Sequence, residues 1–335
     1  MQIGTLYVHW QGSQLATVGE RLVVRNREGS ILEDIPFFRL RQIVCFGSVE
    51  VTSRTIFQLM RRQIDLVYLT LKGRFKCRLS NLNERLVETR RHQYRRSFED
   101  SFKLKVAGEI VSGKLLNYRN WVQKRQRRAL VDCGMELVSI NECVEMVRSA
   151  ASVDELMGIE GIGSKAYFSA LRKSLKQYLG FSERNRRPPR DPVNAMLSFG
   201  YTLLFNRVLA AIETAGLDPF MANLHSDQNF RPSLALDLME EFRLFCVDNV
   251  VSRLVNLVQV KPDDFHTSEK DGVKMNEATI SLLVKEMQAR FAGSCFYPRD
   301  NRKIQVQDLI VRQSYLYRDA VCGDSPGYFP MLFEY

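Results

Sequence analysis

Residues 85–128, RLVETRRHQYRRSFEDSFKLKVAGEIVSGKLLNYRNWVQKRQRR, decide the fold class of this 335-residue chain. Phe98, Phe102, Val106 and Ile110 recur every fourth position and no proline interrupts the stretch, so it predicts a long amphipathic helical segment. Upstream the pattern differs. TLYVHW, QLATVG, ERLVVRN, SILEDIPF, RQIVCFG, DLVYLTL and RFKCRLS are short β-branched or aromatic runs separated by polar or glycine-containing turns. Among them, Thr52 opens one short helix carrying Ile56, Leu59 and Met60. Downstream the pattern is mostly helical, with interruptions expected at 158–163, 184–192, 217–219 and 226–232. The expectation is an α+β chain: a small β-strand-rich domain over residues 1–85, followed by a larger all-α domain over 86–335. A strand domain of this size has a modest core and sheet edges to cover, which dimerisation would solve.

Charge and composition narrow the function. Hydrophobic residues make up 45% of the chain, which excludes a disordered or fibrous protein. Lys and Arg outnumber Asp and Glu by 48 to 38, a net charge of +10, so a polyanionic partner is favoured. Residues 85–128 hold thirteen basic against four acidic side chains. Arg184, Arg186, Arg187 and Arg190 form a second basic cluster in a proline-containing loop, a candidate DNA-binding element. Either run also reads as a solvated face. Tyr94, Tyr118 and Trp121 among the cations add the possibility of stacking on bases. The seven cysteines include no C-x-x-C pair, which excludes a zinc ribbon and points to reduced thiols. No leader pattern opens the chain, and the most apolar stretch, residues 195–212, carries Asn206 and Arg207. A cytoplasmic protein with no membrane partner is expected.

Two constellations carry chemistry. The first, MGIEGIGSKAYF (157–168), has glycines at 158, 161 and 163, but what precedes it looks helical, so a nucleotide-binding loop is not supported. Two readings stay open: a helix-hairpin-helix loop binding DNA backbone through its amides, or a cleft-facing Glu160 carboxylate at the start of a new helix. The second runs from Leu224-His225 to RPSLALDLMEEFR (231–243). Asp237 and Glu240 lie three apart on one helical face, where a divalent cation would relieve their repulsion. A solvated face with Glu240 paired to Arg243 is the bland alternative. His225 can fold back toward these acids. Two carboxylates and one imidazole suit Mg²⁺ or Mn²⁺, acting on a phosphodiester.

Taken together, MGIEGIGSKAYF, RRPPRDPVNAMLSFGYTLL, NLH and RPSLALDLMEEFR closely resemble the CRISPR-associated integrase family, that of the first-numbered Cas protein. LYV, ERLVVR, EDIPFFRLRQIVCFG and VYLTLKGRF agree in order, so the resemblance spans about residues 1–320. It implies a prokaryotic, metal-dependent DNA endonuclease and integrase that inserts prespacer DNA into a CRISPR array by attack of a 3′-OH. It also implies a homodimer built on the β domain, a complex with the small second-numbered Cas protein, and double-stranded DNA as substrate. Carried over motif by motif, the metal ligands are Glu160, His225 and Glu240, with Asp237 a further catalytic acid and Asn194, Tyr201 and Arg243 in support. One departure is Leu244, where members commonly have proline. The tail from Cys322, with Tyr328, Phe329, Phe333 and Tyr335, matches nothing in that pattern; its aromatics favour docking.

Overall fold

Short β-branched and aromatic runs build the first of two units into which the chain divides, 1–84 and 85–335. The computed structural model describes residues 4–71, 75–79, 87–127, 131–185, 188–225, 231–268 and 272–334. In the first unit, strands β1 (Gly4–Val8), β2 (Ser13–Val18), β3 (Arg21–Arg25), β4 (Ile31–Pro36), β5 (Leu40–Phe46) and β6 (Val49–Val51) precede helix α1 (Ser53–Arg61). Strands β7 (Asp65–Leu69) and β8 (Phe75–Leu79) follow. They form two four-stranded sheets, ordered β1-β5-β7-β8 and β4-β3-β2-β6. Leu15, Leu22, Val24 and Ile35 of one sheet share a single core with Leu6, Val8, Ile43, Cys45 and Leu66 of the other. Central β5 pairs in parallel with both β1 and β7 and is buried on both faces, hence its unbroken IVCF run. Thr52 caps α1 as expected, its hydroxyl accepting from Thr55 N at 3.3 Å.

The second unit begins with α2 (Val87–Ser97), α3 (Asp100–Arg127), α4 (Gly134–Val147), α5 (Val153–Ser174) and α6 (Pro192–Thr214). The expected helical stretch over 85–128 is therefore two helices, and Phe98, between them, is exposed rather than part of a buried stripe. Then come α7 (Ser233–Leu238), α8 (Glu240–Phe242), a π-helical turn at Arg243–Asp248 and α9 (Asn249–Asn256). Leu244, at the proline departure, is buried inside that π turn, so the helix continues where a proline would disturb it. Two hairpins interrupt the all-α expectation. Strands β9 (Phe265–Ser268) and β10 (Gly272–Met275) pair before α10 (Glu277–Ala292), and β11 (Ser294–Tyr297) and β12 (Arg302–Gln305) pair before α11 (Val306–Cys322). These four-residue strands are too short and too charged to show a period.

Three further expectations are corrected. The 158–163 interruption does not exist: Ser152 caps α5, and the helix runs unbroken through all three glycines. The helix-hairpin-helix loop, and with it the non-catalytic DNA-binding alternative built on it, loses its structural basis. Tyr118 and Trp121 are core residues, not stacking platforms. The Tyr118 ring stacks on Tyr167 at 3.8 Å, and Trp121 Nε1 donates to Asn249 Oδ1 at 2.8 Å. Tyr94 stays partly exposed and donates to Asp218.

Helix α6 is long and apolar enough to cross a bilayer by length and composition, but 67% of its most apolar window is buried within the fold. It packs against α11, the π turn, α7 and β10, as a central core helix does. The tail docks on its own unit. Asn117 of α3 accepts from Phe333 N at 2.8 Å and donates to Met331 O at 2.9 Å, while Phe333 stacks on Phe245 at 4.1 Å. Gly113 makes room for Pro330, which would collide with any side chain there.

Candidate active site

Three segments of the helical unit bring charged side chains to one place. Helix α3 contributes Lys114, which lies on the same every-fourth-residue stripe as Val106, Ile110 and Tyr118 and is therefore forced inward. Helix α5 contributes Glu160 and Ser164. Gly163, one helical turn from Glu160, lets α5 approach Leu115 so closely that a Cβ would collide with it. That contact sets Lys114 against Glu160. The third segment, from α7 through the π turn, contributes Asp237, Glu240, Arg243 and Asp248.

The Lys114 ammonium bridges two carboxylates: it pairs with Glu160 Oε1, and lies 2.6 Å from Glu240 Oε2. Ser164 Oγ donates to Glu160 Oε1 at 2.7 Å. Arg243 Nη2 lies 2.9 Å from Glu240 Oε1, and His225 Nε2 lies 4.0 Å from the same oxygen. Lys114, Glu240 and Arg243 are buried, whereas the side chains of Glu160 and His225 keep 26% and 22% of their surface exposed. The Glu240–Arg243 pairing anticipated as part of a solvated face is thus a buried ion pair. Burial pushes the Glu160 carboxyl up, but Lys114, Ser164 and Arg243 outweigh it and bring it down to about 2. Burial likewise opposes ionisation of Glu240, and Arg243 and Lys114 hold its carboxyl below the ordinary value. Both acids are ionised.

Asp237 and Glu240 both reach the His225 ring, Asp237 at Nδ1 and Glu240 4.0 Å from Nε2, but they take different partners. Helix α7 ends at Leu238, and Asp237 turns to the loop before it. Its fully buried carboxylate accepts from the amides of Asn223, Leu224 and His225 at 2.7, 3.0 and 3.0 Å. It also lies 2.7 Å from His225 Nδ1. With Nδ1 engaged by this carboxylate, Nε2 is the ring nitrogen turned toward Glu240. Asp237 thus orients His225 instead of presenting its own oxygens to the site.

A cavity of about 450 Å³ opens beside these groups, lined by Lys114, Glu160, Arg243 and the more peripheral Lys165, Arg172 and Arg184. Tyr201 is gripped between two guanidiniums, Arg184 and Arg243 lying 5.4 and 5.0 Å from its ring centroid. Its hydroxyl donates to Asp248 Oδ1 at 2.5 Å, and Tyr167 donates to Oδ2 at 2.9 Å. Asn194 stands one layer further back. It accepts from Arg184 Nη1 at 2.7 Å and donates to Glu183 O at 2.8 Å, so it holds Arg184 and its loop in place. Arg190 is exposed. Arg186 and Arg187 lie outside the described residues.

Sequence reasoning singled out Glu160, His225, Glu240, Arg243 and Tyr201, which the structure gathers here. It missed Lys114, Ser164 and Asp248. Lys114 was detectable: it is the one charged residue on the α3 stripe between Ile110 and Tyr118. Asp248 carried no signal, because the π turn alone aims it inward.

Among the described residues no three His, Cys, Asp or Glu side chains already form a metal cage. The donor set nevertheless fits a divalent ion. Two carboxylates share the Lys114 ammonium, His225 Nε2 lies 4.0 Å from one of them, and buried Glu240 Oε2 receives no hydrogen bond despite its nearness to Lys114.

The chain matches the family model for CRISPR associated protein Cas1 over residues 6–289. A CRISPR-associated endonuclease Cas1 of Chlorobaculum tepidum is 32% identical over 341 residues, covering 99% of each chain. Among solved structures, the fold is shared with a casposase bound to integration product, at a TM-score of 0.86 and 20% identity, covering 99% of this chain and 94% of that one. It is also shared with a Cas6-RT-Cas1–Cas2 complex, at a TM-score of 0.84 and 22% identity, covering all of this chain and 36% of that one.

Proposed function

This chain belongs to the CRISPR-associated Cas1 family, and on that premise we propose that it is a metal-dependent DNA endonuclease and integrase inserting prespacer DNA into a CRISPR array. The observation that carries this reading is the convergence of Glu160, Glu240 and His225 Nε2 beside a cavity walled by basic side chains. These three residues would hold Mg²⁺ or Mn²⁺, which when bound polarises a phosphodiester oxygen and steadies the developing charge.

The chain's own residues perform the remaining tasks. Asp237 fixes the ring and tautomer of His225. Arg243, over the Tyr201 ring and paired with Glu240, and Tyr201, bonded to Asp248, wall the cavity. Lys165, Arg172 and Arg184 neutralise the phosphates that enter it, while Phe168 on the same wall offers an aromatic face for a terminal base. In joining, the 3′-OH forms a new bond to phosphorus as the target strand's bond to its own 3′ oxygen breaks. The attacking hydroxyl loses a proton and the departing oxygen gains one. With water as nucleophile, the same geometry cleaves. A homodimer through the strand-rich unit, double-stranded DNA and the Cas2 protein complete the proposed assembly, in the prokaryotic cytoplasm.

The test is joining of a 3′-OH duplex into a target containing a CRISPR repeat, in Mn²⁺ or Mg²⁺. E160A and H225A each abolish product while salt-sensitive DNA binding persists. Full activity in both variants would remove the proposed ligands.

A further inference from the structure

The placement of Lys114 raises a question of charge. Its ammonium lies between Glu160 and Glu240, the two carboxylates assigned to the metal above, at the point where their oxygens meet. It is buried, on a helix packed tightly against α5. Lys114 and Arg243 are the cations paired with Glu160 and Glu240, while Asp237 is engaged by the His225 loop. A divalent ion entering while the buried ammonium still touches both carboxylates would set two cations against each other in low dielectric, a costly arrangement. Withdrawal of the ammonium removes that repulsion, and an entering phosphodiester brings a compensating negative charge.

Resting on that metal-site reading, we propose that Lys114 is an internal placeholder for the divalent ion. Before the metal arrives it keeps Glu160 and Glu240 gathered. On arrival it releases Glu240 Oε2, which its ammonium approaches without forming a hydrogen bond. The four-carbon stem then swings toward the adjoining cavity, which Lys114 already lines and where the Tyr118 ring lies 5.6 Å from its nitrogen. Metal binding at this site is therefore an exchange of one cation for another, and the displaced ammonium becomes available to the incoming phosphate. The arrangement explains how two acids and a histidine remain in register in a metal-free protein, where mutual repulsion would otherwise separate them.

The test uses the full-length protein and Mn²⁺ alone, read by calorimetric titration and thermal melting without DNA. K114Q removes the competing charge, so it binds Mn²⁺ at least about tenfold more tightly than wild type. The metal-free K114Q protein melts lower than wild type, and Mn²⁺ raises its melting temperature by more than it raises that of wild type. K114R, which keeps the charge, binds Mn²⁺ no more tightly than wild type. Should K114Q fold only with Mn²⁺ present, the proposal stands; should Mn²⁺ fail to rescue it, the proposal falls. Equal Mn²⁺ affinity in K114Q and wild type also overturns it. E160A and H225A separate the two levels: if wild-type Mn²⁺ binding survives both, the metal-site assignment fails, whereas loss in both with no K114Q effect defeats the placeholder alone.

Discussion

At the scale of single residues, the site is organised by groups that do not face the cavity. Asp237 is the clearest case, since one carboxylate holds three loop amides and the His225 ring. D237N can still accept from part of the loop but no longer enforces the proton on Nδ1. We expect DNA joining to fall about 10–100-fold while the protein stays folded with a modestly lower melting temperature. Wild-type joining rates in D237N would show that His225 needs no such partner. The sequence placed Asp237 and Glu240 together by helical spacing. What it could not show is that Asp237 takes the 223–225 loop amides while Glu240 pairs with Lys114 and Arg243. A three-residue spacing fixes a shared face, not the partners that distant segments bring to it.

At the scale of elements, glycine was the misleading signal. Three glycines within six residues argue for a loop, because each weakens a helix by about 1 kcal/mol relative to alanine. Helix α5 survives them through its Ser152 cap and the packing of Leu156, Ile159 and Tyr167. The glycines have different tasks. Gly163 lets α3 approach, whereas nothing stands near the Cβ position of Gly158. G163V is therefore expected to cost about 1–3 kcal/mol by overpacking, and to reduce joining by pushing Lys114 away from Glu160. G158A is expected to stabilise by up to about 1 kcal/mol with activity unchanged. Chemical denaturation of both variants checks the pair, and equal effects would mean that the α3–α5 approach is not set by Gly163. By contrast, the Thr52 cap, the short β-branched strand runs and the Val106–Ile110 part of the α3 stripe were legible, because each is a property of a few adjacent residues.

At the scale of the whole molecule, buried carboxyls set the response to pH. Burial pushes Asp248 up to about 6 and Glu241 up to about 7, despite hydrogen bonds from Tyr201 and Tyr167 to the first and from Tyr328, Met331 N and Gln313 to the second. Each retains its proton in the folded protein at pH values where the unfolded chain has released it. Stability therefore falls as pH rises from about 4 to about 7 and levels off above. Glu160 acts in the opposite sense: with its folded value near 2, its contribution grows as pH rises from about 2 to about 4.5. The metal-free protein should be most stable near pH 4–5, and E241Q should flatten the decline between pH 5 and 7, measured as melting temperature against pH. An unaltered slope in E241Q would show that this carboxyl does not hold its proton. Glu241 also ties the tail to the unit, a role invisible in the sequence because its partners lie 72 to 90 residues away. By itself the sequence determined the strand-then-helix order, the basic character, the family motifs and the acids and histidine of the site. Periodicity, capping and residue chemistry are local, so they can be read along the chain. Only the tertiary structure decided that Lys114 sits between Glu160 and Glu240, that Asp237 serves His225, and that the tail closes over α3. Those contacts join distant segments, and burial selects them only when the helices pack.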